Sequence, residues 1–314
     1  QAYGDKKGET VLSATTTKNN LIKETIGERI YYSIVIVILT IVCIIVLYPL
    51  IHVVSVSFSS PYAVMANEVG LLPKNISFEA YRRVFRYSAI WRSYVNTIAY
   101  TVVGTIINLI LTSMGAYPLS RKDFFGRRVW TFYFTLTMFF GGGMIPTYLL
   151  VQKLKLIDTF WVMVILGAVS TWNMIIMRTF FQNNIPDSLQ EAAIIDGAND
   201  LTIFIKIVLP LSTPIIAVMT LYYGVGHWNA FFNALIYLNS RSKYPLQLIL
   251  REILLQNILA QELGEGIGSA GEQEFIGQTI RYASIVVATV PILTVYPFLQ
   301  KYFVKGVLVG AIKG

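Results

Sequence analysis

Residues 190–214 read QEAAIIDGANDLTIFIKIVLPLSTP, and they belong to a connection unlike the others in this chain. From Gln182 to Ile203 there are four acids, Asp187, Glu191, Asp196 and Asp200, and no Lys or Arg, although the formal net charge of the chain is +8. Long apolar runs flank the segment on both sides. The 314 residues are 55% hydrophobic and only 13% charged. Soluble globular proteins carry about 25% charged residues, so lipid is the main solvent here. The excess of cations does not point to nucleic acid, because the basic residues are scattered. A single cysteine, Cys43, permits no intrachain disulfide.

Working outward, six windows lack Asp, Glu, Lys and Arg: 30–67, 93–120, 129–152, 159–177, 207–240 and 282–300. A bilayer core of about 30 Å needs about 20 apolar residues as helix, and a spanning backbone must satisfy its own hydrogen bonds. The reading is an all-α polytopic membrane protein with six transmembrane helices, near 31–55, 94–117, 129–151, 159–181, 205–236 and 283–303. The first is read as a retained span, being too long for a leader and lacking a cleavage motif.

With the N-terminus inside, the inner segments hold 14 of the 25 Lys and Arg residues, a thin bias in the expected direction. The loop SRKDFFGRR at 120–128 is its strongest element. The expectation is a multi-pass cell-membrane protein with both termini cytoplasmic. Residues 1–29 read as a polar cytoplasmic tail, 30–92 as the first span plus an outer interfacial segment (77–92), 93–304 as the membrane core, and 305–314 as a C-terminal tail. The largest outer loop is 241–281.

The acidic connection reads as a capped element. Pro186 can open a helix, Ser188 and Glu191 have the spacing of a capping box, and Gly197 suits a left-handed stop. Asn199 or Asp200 can cap the next helix. On a helical wheel Leu189, Ala192, Ala193 and Asp196 share a face. Two readings stay open on these grounds: a well-capped connection, and a docking knob whose small alanines admit a partner's backbone.

The residues also carry a resemblance. Ile185-Pro186-x-x-Leu189-x-Glu191-Ala192-Ala193-x-x-Asp196-Gly197-Ala198, followed by Phe204-x-x-Ile207-x-Leu209-Pro210-Leu211-x-x-Pro214, resembles the EAA loop of binding-protein-dependent ABC importer permeases. The stretches GGGMIPTYLLVQKLKLIDT (141–159), GHWNAFFNALIYL (226–238), YPLQLILREIL (244–254) and KYFVKGVLVGAIKG (301–314) resemble the carbohydrate-importer branch of lipoprotein- and polysaccharide-type permeases. This implies a type I, MetI-like permease that is not an enzyme. It implies a second homologous permease, two cytoplasmic ATPase subunits that use ATP and Mg, and an extracellular sugar-binding lipoprotein. It further implies that Glu191, Ala192, Ala193, Asp196 and Gly197, within the coupling loop 182–203, engage the ATPase. The chain itself shows no phosphate-binding G-x-x-x-x-G-K-[ST] and no metal constellation.

Sugars bind by stacking on aromatic faces and by side-chain hydrogen bonds. The substrate-path candidates are therefore Trp172 and Asn173 in the fourth helix, and Tyr222, Tyr223, His227, Trp228, Asn229 and Asn233 in the fifth; interfacial belts and helix–helix contacts use the same residue types. Gly141–Gly143 should break or loosen the third helix. Pro210 and Pro214 remove backbone donors near the start of the fifth, setting a bend or a simple kink. A G-x-G-x-x-G match at 266–271 has no preceding strand and is set aside. The competing function is a stand-alone secondary sugar transporter, disfavoured because the membrane windows hold no charged side chain to relay protons. A membrane-embedded transferase would want carboxylates aimed at a substrate, and the acids cluster in the loop instead.

Overall fold

The computed structural model describes residues 25–256, 277–294 and 297. The tail before residue 25, loop residues 257–276 with the G-x-G-x-x-G match, the end of the sixth span and the tail 305–314 lie outside the described residues. Those described contain helices and no strands.

The chain divides into units 1–50 and 51–314. The described part of the first belongs to α1 (Ile26–Ser57), whose apolar side chains are exposed almost throughout. Its start is a formed capping box: the Glu28 N–H donates to Thr25 Oγ1 at 3.3 Å, and the Thr25 N–H donates to Glu28 Oε2 at 2.7 Å.

In the second unit, α2 (Pro61–Met65) and α3 (Glu79–Arg86) are short, and the interfacial stretch expected at 77–92 is divided between α3 and α4 (Ser88–Ser120). α4 is the unbroken central rod. α5 (Arg127–Phe139) and α6 (Met144–Lys153) meet at 111°, with the break at the expected glycine run. Gly143 there has φ +82°, a backbone state that favours a residue without Cβ. The fourth window is not one helix either. It forms α7 (Phe160–Ile165) and α8 (Thr171–Asn184), parted by a turn with Gly167 at φ +79°. The Ser170 hydroxyl caps α8, accepting from the Asn173 N–H at 3.4 Å.

α9 (Asp187–Ile195) and α10 (Asp200–Ile203) follow, and α10 runs into a π-turn at Phe204–Val208 and then α11 (Leu209–Leu211). The next segment, α12 (Thr213–Trp228), is bent from this run by 81°. Pro210 cannot donate to the carbonyl four residues back, and Pro214 lacks the same donor one turn later, so the ladder breaks between them. α13 (Phe232–Tyr237), α14 (Leu246–Gln256) and α15 (277–294) complete the described chain. Each of the six apolar windows thus contains helix among the described residues. α1 and α4 are single rods of crossing length, and two further spans form as bent pairs. The third and fifth helices are segmented near the glycine run and the prolines that were expected to disturb them, and the fourth, expected as continuous, is segmented as well.

α4 packs against α8, α12, α7, α14 and α5. One core gathers Tyr117, Met174, Met177, Phe181, Ala193, Ile203, Phe204, Val208, Met219 and Tyr223 at the acidic-loop end of α4.

Candidate functional site

The acidic connection folds as a locked short helix. α9 is entered from Pro186 (φ −62°, ψ 138°) with no side-chain cap. The expected capping box does not form, because the helix begins at Asp187, before Ser188. A proline in the cap position also has no N–H for an acid to accept. The other end matches expectation. Gly197, at φ +80°, donates its N–H to the Ile194 carbonyl at 2.9 Å, and the Ala198 N–H reaches the Ala193 carbonyl at 2.9 Å. These paired bonds are a Schellman stop. Asn199 then caps α10, accepting from the Thr202 N–H at 2.8 Å.

Leu189, Ala192 and Asp196 are exposed, as are Glu191 and Gly197. Ala193 sits at the edge of this face and differs in exposure: only 8% exposed, it is buried like Gln190, in the cluster of Tyr117 and Phe204. The alanine pair therefore splits, one residue outward and one inward. Ile194 and Ile195 add an apolar surface beside the acids, with Ile195 85% exposed.

The loop is held to α4. Arg178 Nε donates to the Leu119 carbonyl at 2.9 Å and Gln182 Nε2 to the Ser120 carbonyl at 3.4 Å, filling last-turn carbonyls of α4. Lys122 pairs with Asp187 at 2.7 Å. Phe204 stacks on Tyr117 with centroids 5.1 Å apart. In the neighbouring loop, Arg121 grips Asp123 through Nε and Nη2 at 2.8 Å each, and this fork holds the Asp123 carboxyl below the usual carboxylate range.

The path candidates do not converge. Tyr223 and His227 share a polar seam with α4. The Tyr223 hydroxyl meets Thr112 Oγ1 at 2.6 Å and accepts from the Ser170 N–H at 3.3 Å. His227 Nε2 meets Asn108 Oδ1 at 2.6 Å, while Asn108 Nδ2 donates to the Ala168 carbonyl at 2.6 Å. Gly104, one turn before Asn108, makes room for the imidazole: a Cβ there would lie 2.4 Å from His227 Nε2. Asn173 is buried in α8. Trp228 lies elsewhere, packed with Ile280, Ala283 and Ala288 and donating Nε1–H to the Ala288 carbonyl at 3.2 Å. Trp172, Tyr222 and Asn229 are exposed, the last accepting from Gln247 at 3.2 Å, and Asn233 is half-buried in α13 beyond the end of α12.

Two features escaped the sequence reading. One is the polar stripe of α4, Gly104, Asn108 and Thr112, whose four-residue spacing was visible inside a window counted only for charge. The other is Asp158, at φ +55°, which accepts from the backbone N–H groups of Asn239 (3.1 Å) and Ser240 (3.0 Å), from Ser240 Oγ (2.5 Å) and from Lys243 Nζ (2.9 Å). The Ser240 hydrogen bonds, then Lys243, hold this carboxyl well below its ordinary pKa. The clasp joins the α6–α7 loop to the segment that Asn96 and Tyr100 bind near the opposite end of α4.

A family profile described as "Binding-protein-dependent transport system inner membrane component" matches residues 109–309. The polygalacturonan/rhamnogalacturonan transport system permease protein YtcP of Bacillus subtilis (strain 168) is 46% identical over 268 residues, covering 85% of this chain and 92% of that protein. Protein LplC of the same organism is 41% identical, covering 85% of this chain and 89% of its own length. Among solved structures, a chain of a bacterial ABC transporter involved in the import of the acidic polysaccharide alginate superposes with a TM-score of 0.80 at 38% identity. That match covers 89% of this chain and 99% of the other.

Proposed function

Because this chain belongs to the family of binding-protein-dependent transport system inner membrane components, we propose that it is the permease subunit of an ATP-driven importer that carries an oligosaccharide across the cell membrane. As a family member it is a MetI-like multi-pass membrane permease and not an enzyme. The named substrates of its relatives, polygalacturonan, rhamnogalacturonan and alginate, support the oligosaccharide class.

The observation that carries the reading is α9. It is a stopped, tethered helix that presents Glu191, Ala192, Asp196 and two isoleucines outward. Separate ATPase subunits, hydrolysing ATP with Mg, engage residues 186–200. Glu191, Ala192, Asp196 and Gly197 form the contact, and Ala193 seats the helix from behind. Force on α9 passes through Arg178 and Gln182 to α4 and through Phe204 to the bend before α12, a rocking movement of packed helices. A second homologous permease completes the pathway, and an extracellular sugar-binding lipoprotein delivers the substrate. Trp172, Tyr222, Asn229 and Asn233 remain available to touch sugar, with Tyr223 and His227 supporting the wall behind them.

The test is assembly and coupling. In a Cys43→Ser background, a cysteine at position 192 should cross-link to a co-expressed ATPase subunit, and ATP should drive sugar uptake in vesicles. Glu191→Lys should abolish that uptake while the chain still inserts, since Glu191 is exposed. Sugar movement by the purified chain alone down an ion gradient would sink the reading.

A further inference from the structure

A cavity of about 580 Å³ lies where α4 ends, α5 begins and α8 gives way to α9. Arg121, Lys122 and Arg127 line it against one carboxylate, Asp187, so three cations face one anion. Asp187 pairs with Lys122 and Asp123, from outside the lining, with Arg121, so the ion pairs already described leave Arg127 as the excess cation. Asp123 occupies Nε and Nη2 of Arg121, but Nη1 is buried without a hydrogen-bond partner. Arg127 donates to the Arg121 carbonyl at 3.3 Å and has no carboxylate partner among the described residues. Gln190, on the buried face of α9 and 7% exposed, adds an amide to the lining. An unmet buried donor such as Arg121 Nη1 is costly, and native structures rarely leave one without a partner.

We propose that this cavity binds a phosphate oxyanion, presented by the headgroup of an anionic phospholipid. A phosphate supplies several acceptors to a site that is rich in donors. Arg127 stands in the first turn of α5, where the helix's own positive end adds to the attraction. The surface beside it suits the rest of a lipid: Phe125, Val129, Trp130 and Tyr133 are all exposed, an apolar and aromatic border of the kind that sits at the headgroup level. Basic pockets between membrane helices are suited to such headgroups. A loop that was basic only to set orientation would keep its cations in water, whereas this one turns Arg121 inward with Nη1 buried and unmet. Free phosphate offers the same oxyanion without chains to cover the aromatic border. The site does not depend on the import reading, but it sits against α9, so occupancy would brace the helix proposed to meet the ATPase.

The full-length chain in nanodiscs containing phosphatidylglycerol and phosphatidylcholine, analysed by native mass spectrometry, tests the proposal. Wild type should retain one phosphatidylglycerol. Arg127→Gln should lose it, with retention down about tenfold, as for one charge-assisted contact. Arg128→Gln removes an equal charge from an exposed position outside the cavity and should keep it. Melting in phosphatidylcholine alone checks that Arg127→Gln folds; if it does not, Lys122→Gln, at an exposed position, serves instead. Equal retention by wild type and Arg127→Gln, or equal loss in Arg127→Gln and Arg128→Gln, overturns the site. Inorganic phosphate raising the melting temperature of wild type but not Arg127→Gln in phosphatidylcholine discs, with no phosphatidylglycerol retained, upholds the oxyanion and overturns the lipid as its source.

Discussion

At the scale of single residues, Gly197 is the most demanding position of the acidic loop. Its positive φ carries both bonds of the Schellman stop, and a β-branched residue there costs about 1–2 kcal/mol in the left-handed region. Gly197→Val should fray the end of α9 and abolish ATP-driven uptake while the chain still inserts, whereas Gly197→Asn should keep much of both. Uptake in vesicles together with hydrogen exchange at Gly197 and Ala198 checks this, and protected amides in the valine variant would contradict it. Asp158 makes a pH prediction. Its folded pKa is depressed, so its contribution to stability is complete above the ordinary carboxylate value, about 3.9, and is lost as pH falls toward the folded value. The melting-temperature gap between wild type and Asp158→Asn should be constant near neutral pH and shrink on acidification below about pH 4. Gly197 was legible because a left-handed stop has a local signature. Asp158 was not, because its partners Ser240 and Lys243 stand more than eighty residues away, and nothing nearby in the chain marks it.

At the scale of elements, the α4–α12 seam joins two helices whose individual residues look unremarkable for membrane spans. Gly104→Ala should displace the His227 ring from Asn108, leaving buried polar groups unmet, at about 1–3 kcal/mol. In a His227→Ala background the same change should cost much less. A double-mutant cycle on melting in detergent measures the difference, and additive effects would show that the close approach carries no strain. The segmentation of the third to fifth helices was only partly legible. Gly141–Gly143 and the prolines at 210 and 214 announce their breaks, since both residue types disturb the hydrogen-bond ladder directly. The break at 166–170 escaped because a window counted for charge does not register Gly167 or the capping hydroxyl of Ser170. The unequal exposure of Ala192 and Ala193 was hidden for a related reason. A helical wheel orders residues by angle, but which edge of the face meets the bundle shows only in the packing of Ala193 with Tyr117 and Phe204.

For the whole molecule, the bundle places the basic loop 121–126 beside the acidic connection, since Lys122 meets Asp187 and Arg178 meets Leu119. The Asp158 clasp gathers near the other end of α4. Sidedness therefore reduces to one binary question, and the charge bias predicts that the first group faces the cytoplasm. In a Cys43→Ser background, cysteines at positions 123 and 196 should resist a membrane-impermeant maleimide in intact cells, while one at 242 should react; the reverse pattern would invert the molecule. The family itself was readable from the spacing around Glu191 and Gly197, because a short stopped helix leaves a dense local record. The fit between Gly104 and His227 has a further consequence for descent. A lineage that gained a side chain at position 104 would have to surrender the imidazole at 227 in the same interval. Among diverged cousins, those two columns should therefore drift together, while Trp172 and Tyr222 wander on their own.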